Sequence, residues 1–371
     1  MDSFEQLKMA QTNTTVGFKS NGSRVSAAEF NQINSAVNSN ADDLEGRIAA
    51  LGSTTTNARL DLVEDTDTSS VNGYHTDSLP SGKENGTIAY DLDSEIPVYS
   101  SASVWYRCSD NVSIITLPVM DLFLVMGQSN ADGKADINNF TGTQSEDLSS
   151  TLCYVASVNQ TTKDFVDGSW GAMNVGTNTA TAGNRFGPEY GMADSAIAIR
   201  STEPVMFARD AAFLKIVKGA TDLAEDWSST FSNNYMYTAM EKGLPNGKFG
   251  LGQFGRRFRI RAMVWYQGES DAGNLTFANN YQSNLTAFLT DIRTRVGISD
   301  LPIVLCKVDY DSSPPAYLST VRAALQSVAD NDSNIEIIDT QGLGRRDSVH
   351  LDADGMFLLG QQIITKLSSM L

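Results

Sequence analysis

The sequence of 371 residues predicts an α/β fold built on a parallel sheet, and three observations support this prediction. From about residue 117 onward, apolar strand-like runs alternate with helix-like stretches, which is the pattern of a parallel sheet with helices on both faces. Three of the strand-like or loop segments carry unusual polar residues where such sheets bind ligands. The preceding residues differ in composition, so we expect an N-terminal helical coil and a small β unit before the α/β domain.

The first 75 residues are predicted to contain a self-associating helix. Between Phe30 and Leu62 apolar residues recur at steps of three and four, and the other positions are mostly Asn, Ser, Asp and Arg. Such a narrow apolar stripe is typical of a coiled coil. One amphipathic surface helix is the alternative interpretation. We expect residues 1–75 to serve attachment and oligomerisation, with a homotrimer favoured over a dimer.

Residues 76–117 are predicted to form a small β module. Turn signals at Pro80-Ser81-Gly82 and Glu84-Asn85-Gly86 alternate with short β-rich runs. The text GTIAYD…PVY…WY resembles a module that precedes the C-terminal domain of phage tail fibres. Together with the coil, this resemblance implies a tail fibre or tailspike located in the virion tail, with residues 1–75 contacting other virion tail proteins.

The third predicted domain, residues 118–371, contains the alternating elements. Two polar stretches within it, 134–182 and 228–256, are predicted as long loops that wall a cleft. The predicted strands are 121–126, 203–208, 212–217, 258–266, 302–308 and 334–338, and the predicted helices are 189–199, 276–296, 316–329 and 352–370, the last capped by Asp352 or Asp354.

Charge and composition exclude several classes of function. A net charge of −17 repels phosphate backbones and anionic membranes, so we expect binding neither to nucleic acid nor to a membrane surface. No apolar run approaches the length of a membrane span, so we expect no membrane insertion. The N-terminus has no signal-peptide pattern, which predicts synthesis in a host cytoplasm without export by that route. The three cysteines are widely spaced and indicate neither a disulfide framework nor a zinc site. No metal and no organic cofactor is expected.

Three sequence blocks carry candidate chemistry. Gly127-Gln128-Ser129-Asn130 follows one apolar run, Gln267-Gly268-Glu269-Ser270-Asp271 follows another, and Asp347 precedes His350 by three residues before the last helix. Acyl transfer by serine needs a nucleophile, an imidazole base and a carboxylate that orients the base. Each block also has a plain interpretation as turn or capping residues. The chain has only two histidines, and we interpret the other, His75, as structural or solvent-exposed.

In this order the blocks resemble the SGNH hydrolase superfamily, and most closely carbohydrate esterase family 6 and the sialate O-acetylesterase-like domains. Phe186-Gly187-Pro188-Glu189 is similar to the second block of that branch. The resemblance covers about residues 118–371. It implies a flavodoxin-like three-layer sandwich with a central parallel sheet.

The resemblance also implies roles for individual residues. Ser129 would be the nucleophile, His350 the general base and Asp347 the residue that orients it. The sequence departs from the general superfamily pattern at its third block, where Gly-x-Asn-Asp is replaced by Gly268-Glu269-Ser270-Asp271. The implied oxyanion-hole donors are the N–H of Ser129, the N–H of Gly187 and the side-chain amide of Gln267, and the implied substrate-binding residues are Gln128, Asn130 and Glu269.

The function implied is a serine esterase that removes O-acetyl groups from carbohydrate, with acetylated host surface polysaccharide (O-antigen or capsule) as the expected partner. Two alternatives stay open. One is a receptor-binding or structural tail protein with an esterase fold and little turnover. The other is a bacterial acetylxylan or sialate O-acetylesterase. Four arginines, at positions 256, 257, 259 and 261, are candidates for a locally basic cleft, or are ordinary surface charges.

Overall fold

A computed structural model describes residues 119–202 and 209–370, and the backbone of several short strands nearer the N-terminus. The chain divides into two compact units. The first comprises Met1–Pro118 and Leu251–Arg257, and the second comprises Val119–Gly250 and Phe258–Leu371. The predicted domain boundaries at residues 75 and 117 stay predictions.

Before residue 119, the described part of the first unit consists of short strands. Lys19–Ser20 and Ser23–Arg24 pair antiparallel. The predicted coil between Phe30 and Leu62 lies outside the described residues, as does the predicted strand at 203–208 in the second unit. A four-stranded sheet follows with the order Gly73–Tyr74, Ile88–Asp91, Ile96–Ser101 and Val104–Arg107, in which the first pair is parallel and the others are antiparallel.

The second unit has the mixed α/β architecture that the sequence predicts, and we number its elements separately. Its strands are β1 (Val119–Gly127), β2 (Ala135–Asp136), β3 (Leu152–Val158), β4 (Phe165–Val166), β5 (Gly171–Ala172), β6 (Arg185–Phe186), β7 (Asp210–Val217), β8 (Arg257–Tyr266), β9 (Ile303–Lys307) and β10 (Ile335–Asp339). Its helices are α1 (Ser129–Asp132), α2 (Glu189–Thr202), α3 (Tyr235–Gln253), α4 (Leu275–Val296), α5 (Leu318–Asp330) and α6 (Ala353–Ser368). Among these described helices, none combines the length and the apolar character needed to span a membrane.

The main sheet has the order β4-β3-β7-β1-β8-β9-β10, and β5 pairs with the edge of β3. Strand β7 runs parallel to both β1 and β3, and β9 runs parallel to both β8 and β10. β1 is almost completely buried, as its unbroken apolar run predicts for a parallel strand that is covered on both faces. Within the second unit, the chain forms β1 first, then β3 and β7 on one side of it, and then β8, β9 and β10 on the other side. The carboxyl end of β1 is therefore the topological switch point where α/β sheets bind ligands.

Several elements lie inside the stretches that were predicted to be loops, the longest being β3 and α3, and those predictions are wrong at these places. β3 lies within 134–182, and α3 occupies most of 228–256. Helix α3 contains Pro245 and several glycines, which resemble loop signals in the sequence. The glycines have a packing reason, because a Cβ atom at Gly247 would lie 2.4 Å from Leu214 of β7. The helix therefore approaches the sheet too closely for a larger residue at that position.

Local capping explains where the predicted helices begin and end. The Asn274 side chain accepts hydrogen bonds from the N–H groups of Thr276 and Phe277 at the start of α4, and Gly297 ends that helix with φ of 72°. Asp352 is the N-cap of α6, where its carboxylate accepts the Gly355 N–H at 2.7 Å. Asp354, the other candidate cap, accepts N–H groups from Thr141 and Gly142 instead, both at 2.9 Å.

Candidate active site

The structure brings Ser129, His350 and Asp347 into one hydrogen-bonded chain. His350 Nε2 lies 3.0 Å from Ser129 Oγ. On the other side of the ring, His350 Nδ1 lies 2.9 Å from Asp347 Oδ2 and 3.0 Å from Oδ1. This is the geometry in which a carboxylate fixes one imidazole tautomer and leaves Nε2 free to accept the serine proton. Ser129 and His350 are 221 residues apart in the sequence.

Asp347 is held in its ionised form by its own loop. Partial burial raises its pKa, but hydrogen bonds from the His350 N–H, the His350 ring and the Val349 N–H outweigh that effect, so the pKa lies below its ordinary value. The two N–H bonds are 2.8 and 3.0 Å long. An ionised carboxylate beside Nδ1 is the form that orients the ring and stabilises an imidazolium.

Ser129 is presented by a tight strand-to-helix turn. Gly127, the last residue of β1, has φ of 138°, and a Cβ atom there would lie 2.2 Å from the carbonyl oxygen of Tyr266 on β8. Only glycine fits this conformation and this approach. The next residue, Gln128, donates its N–H to the Tyr266 carbonyl at 3.0 Å, and Ser129 then begins α1. Since it is the first residue of a helix, Ser129 has an N–H without an intrahelical acceptor.

Two of the three predicted oxyanion donors have protein acceptors in the structure. The Gly187 N–H donates to Glu189 Oε1 at 2.7 Å. The Gln267 side-chain amide is completely buried and donates to Asp271 Oδ2 at 2.6 Å and to the Thr221 carbonyl at 2.9 Å. Their role as oxyanion donors stays a prediction, and these contacts favour a bracing role.

Gly219 was not singled out in the sequence, yet it lies beside the nucleophile. It follows β7, the neighbour of β1, and a Cβ atom there would lie 3.3 Å from Ser129 Cβ. Within the described part of the chain its N–H has no protein acceptor. The available signal was a glycine two residues after the end of the predicted strand 212–217. The structure therefore places Gly219 directly beside Ser129.

The three predicted substrate-binding residues are buried and bonded to protein groups. Gln128 Oε1 accepts from the Gln267 amide at 3.3 Å and lies 3.4 Å from the Ser270 N–H. Asn130 donates to Glu269 Oε1 at 3.0 Å. Their binding to substrate stays a prediction, since these contacts connect the first and third sequence blocks within the protein.

Glu269 and Asp271 are buried carboxyls with perturbed acidity. Burial raises the pKa of Glu269 to about 7, against opposing hydrogen bonds that include the one from Asn130. Burial likewise raises the pKa of Asp271 to about 7, although the Gln267 amide and the N–H groups of Leu223 and Ala224 stabilise its charged form. Both groups therefore change charge near neutral pH within the loop that follows β8.

A buried ion pair connects the sheet to α1, the short helix that begins at Ser129. Lys215, in the middle of β7, and Glu189, at the start of α2, are both completely buried, with Nζ 2.6 Å from Oε2. Lys215 also donates to the carbonyls of Asp132, the last residue of α1, at 2.9 Å and of Thr179 at 2.5 Å. The Phe-Gly-Pro-Glu block thus supplies the partner of a buried lysine. The sequence signal for this pair was Lys215 itself, because a charged residue inside the apolar run of β7 must find a partner when it is buried.

Two of the four predicted arginines lie away from the serine, and lysines follow α1 and β7 instead. Arg259 and Arg261 contact Asp121 near the amino end of β1, at the opposite end of the strand from Ser129. Lys218 directly precedes Gly219. Partial burial lowers the pKa of Lys218, Asp132 raises it, and the lysines at 163 and 134 lower it further, which places three ammonium groups within electrostatic range of one another.

Comparison with known proteins agrees with this geometry. Residues 119–369 match the family described as carbohydrate esterase, sialic acid-specific acetylesterase. The chain belongs to this family of carbohydrate esterases. The matched residues contain every member of the Ser129, His350 and Asp347 set, together with Gly219 and the Lys215–Glu189 pair.

Individual relatives are more distant. A probable carbohydrate esterase of Arabidopsis thaliana is 30% identical over 102 residues, which are 27% of this chain and 37% of that protein. A crystal structure of an Arabidopsis thaliana protein is similar with a TM-score of 0.50 at 20% identity, covering 68% of this chain and 98% of that one. A carbohydrate acetylesterase from Xanthomonas citri gives a TM-score of 0.46 at 16% identity, covering 66% and 55% of the two chains.

Proposed function

We propose that this protein is a serine esterase that removes O-acetyl groups from carbohydrate. The observation that carries the proposal is the hydrogen-bonded chain from Ser129 Oγ through the His350 ring to Asp347, with distances of 3.0 and 2.9 Å. It stands at the switch point of the sheet in a chain that belongs to a carbohydrate esterase family.

In the first half of the reaction, Ser129 Oγ attacks the acetyl carbonyl carbon while His350 Nε2 accepts its proton. Asp347 stabilises the imidazolium that forms. The developing oxyanion accepts hydrogen bonds from the N–H groups of Ser129 and Gly219, each worth about 3 kcal/mol in a preorganised site. We favour Gly219 over Gly187 and Gln267 as the second donor because its N–H has no acceptor in the described part of the protein.

The first half ends when the bond between the acetyl carbon and the sugar oxygen breaks and His350 protonates that oxygen, leaving the acetyl group on Ser129. In the second half, water replaces the sugar, and His350 removes a proton from the water as it attacks the acetyl-serine. The acetyl group leaves as acetic acid, which releases its own proton to solvent, and His350 returns its proton to Ser129 Oγ. The catalytic cycle needs no electron transfer and regenerates every group of the protein.

The charge around the serine favours an acetylated sugar that carries a carboxylate. Lys218 lies next to Gly219 in sequence, and Lys134 follows α1 within 2.9 Å of Asp132. Asp132 offsets part of this positive charge, but it is buried, whereas the lysines are partly exposed. A positive rim on a chain with net charge −17 would attract an anionic glycan to this cleft. Acetylated sialic acids are therefore better candidates than neutral acetylxylan.

We further propose that the esterase is part of a phage tail appendage that acts on acetylated host polysaccharide. The support is the apolar repeat between Phe30 and Leu62 and the GTIAYD…PVY…WY text. If this is right, the full chain should be a trimer, and deletion of residues 1–75 should reduce it to a monomer with retained esterase activity. A monomeric full chain would favour a free bacterial esterase.

The central experiment is acetate release from p-nitrophenyl acetate, acetylated sialic acid, acetylxylan and acetylated bacterial polysaccharide. Ser129→Ala should abolish turnover of all substrates, while Ser283→Ala, on the exposed face of α4, should leave it unchanged. Activity retained in Ser129→Ala would mean that another residue is the nucleophile. Absence of turnover with intact polysaccharide binding would instead support a receptor-binding protein with an esterase fold.

A further inference from the structure

We infer that Asn130 is a positioning residue that holds the His350 loop in register with Ser129. The inference rests on the proposed esterase function, and it assigns to Asn130 a task inside the protein rather than contact with substrate. Asn130 directly follows the nucleophile in the chain and is only 1% exposed. Its side chain spans the gap between α1 and the loop that carries the base.

The contacts of the Asn130 amide lie on both sides of His350. Nδ2 donates to the carbonyl of Val349 at 3.2 Å, and Oδ1 accepts the N–H of Leu351 at 3.2 Å. The second Nδ2 proton goes to Glu269 Oε1 at 3.0 Å. One side chain therefore binds the residue before the histidine and the residue after it. Both donor protons of the amide are used, so no donor remains for a substrate hydroxyl.

The histidine loop depends on such bonds because packing restrains it little. The His350 side chain is 25% exposed and that of Asp347 is 46% exposed. Other bonds to the same loop come from the Arg345 side chain, which donates to the Val349 carbonyl at 3.4 Å, and from the N–H groups of Arg346 and Asp311, which donate to the carbonyls of His350 and Ser348, both at 3.0 Å. Asn130 is the member of this set that directly follows Ser129 in the chain. A shift of the loop would lengthen the 3.0 Å distance between His350 Nε2 and Ser129 Oγ. Since a misplacement of about 1 Å can cost about a hundredfold in rate, loss of the Asn130 bonds would slow the reaction through the position of His350.

The test is a double-mutant cycle on p-nitrophenyl acetate hydrolysis with the full chain. Asn130→Ala should lower kcat/KM about a hundredfold, mainly through kcat, because it removes both bonds that flank His350. In a His350→Ala background, where no imidazole is left to position, the same substitution should change the residual rate less than about threefold. Non-additivity of this size is expected only if Asn130 acts through His350.

Two further variants keep the experiment decisive. If Asn130→Ala fails to fold, Asn130→Asp retains the acceptor for the Leu351 N–H but loses both donors, and it should show the same non-additivity. Asn178→Ala is the matched control, since Asn178 also bridges two backbone groups, the Ala172 carbonyl at 2.8 Å and the Asn174 N–H at 2.8 Å. It should leave kcat/KM within about twofold of the original chain.

If Asn130→Ala lowers kcat/KM by the same factor with and without His350, the inference is overturned. Asn130 would then have a general structural role or a contact with substrate. A rise in KM with unchanged kcat would overturn it in favour of substrate binding. Failure of the proposed esterase function would be distinguishable, because the unsubstituted chain would then release no acetate.

Discussion

Replacement of Lys215 by methionine should destabilise the esterase unit strongly. Methionine matches the aliphatic length of lysine, so the change mainly removes the ammonium group. That group lies 2.6 Å from Glu189 Oε2 and also binds the carbonyls of Asp132 and Thr179, with both charged side chains completely buried. Breaking a buried pair by removing one partner costs about 3–5 kcal/mol because the remaining charge is uncompensated. We expect a loss of about 4 kcal/mol in the free energy of unfolding at pH 8, measured by urea denaturation and circular dichroism.

The pH dependence of that loss identifies its cause. Burial raises the pKa of Glu189 and the Lys215 ammonium opposes this rise, so the variant should raise the folded-state pKa further. A carboxyl with a raised folded pKa destabilises the fold above that pKa, and the penalty disappears as pH falls towards its unfolded value of about 4.3. The loss from Lys215→Met should therefore shrink between pH 8 and pH 5.

A second substitution supplies the control. Glu189→Gln in the Lys215→Met background removes the orphaned charge and should restore about 2 kcal/mol of the loss at pH 8. A loss below about 1 kcal/mol for the single variant, or a loss of the same size at both pH values, would refute the assignment of this pair as a structural support of α1.

Two further predictions concern the groups nearer the serine. Glu269→Gln should flatten the pH dependence of stability: with a folded pKa of about 7, Glu269 keeps a proton that the unfolded chain loses, so stability falls as pH rises from about 4.5 to 7, by roughly 3 kcal/mol. Urea denaturation at pH 5 and pH 8 measures this, and an unchanged pH dependence in the variant would contradict the assignment. Asp347→Asn should lower kcat about 10³–10⁴-fold with little change in melting temperature, because an amide at Nδ1 stabilises the wrong tautomer. Steady-state hydrolysis of p-nitrophenyl acetate tests this, and residual activity above a tenth would argue against an orienting role.

The sequence was informative wherever one residue had a single physical explanation. Asp347 and His350 stand out from the residues themselves, because the chain has two histidines and only one follows an aspartate by three residues. Their roles beside Ser129 were implied by the resemblance to carbohydrate esterases. Strands such as 302–308 were predicted to within one residue at each end of the observed Ile303–Lys307. Unbroken apolar runs leave few alternatives to a buried strand.

The sequence failed where one residue type serves two purposes. The glycines of α3 indicated a loop, although Gly247 is there because the helix packs on Leu214. Gly219, which lies next to Ser129, was not singled out, whereas the role of Gly187, whose N–H donates to Glu189, stays a prediction. The loop error and the omission of Gly219 both concern distances between elements far apart in the chain. Spacing within a motif does not contain that information.

The 221 residues that separate Ser129 from His350 have a consequence for biosynthesis. Ribosomes add about 5–20 residues per second, so the nucleophile would emerge about 10–40 seconds before its base. During that interval the serine is an ordinary alcohol, since a hydroxyl without an adjacent base is a weak nucleophile. The growing polypeptide would therefore be inert towards acetylated metabolites. Ester cleavage would begin only when the sheet is complete and the loop that carries His350 has reached Ser129. The onset of activity would therefore measure the time at which folding is complete.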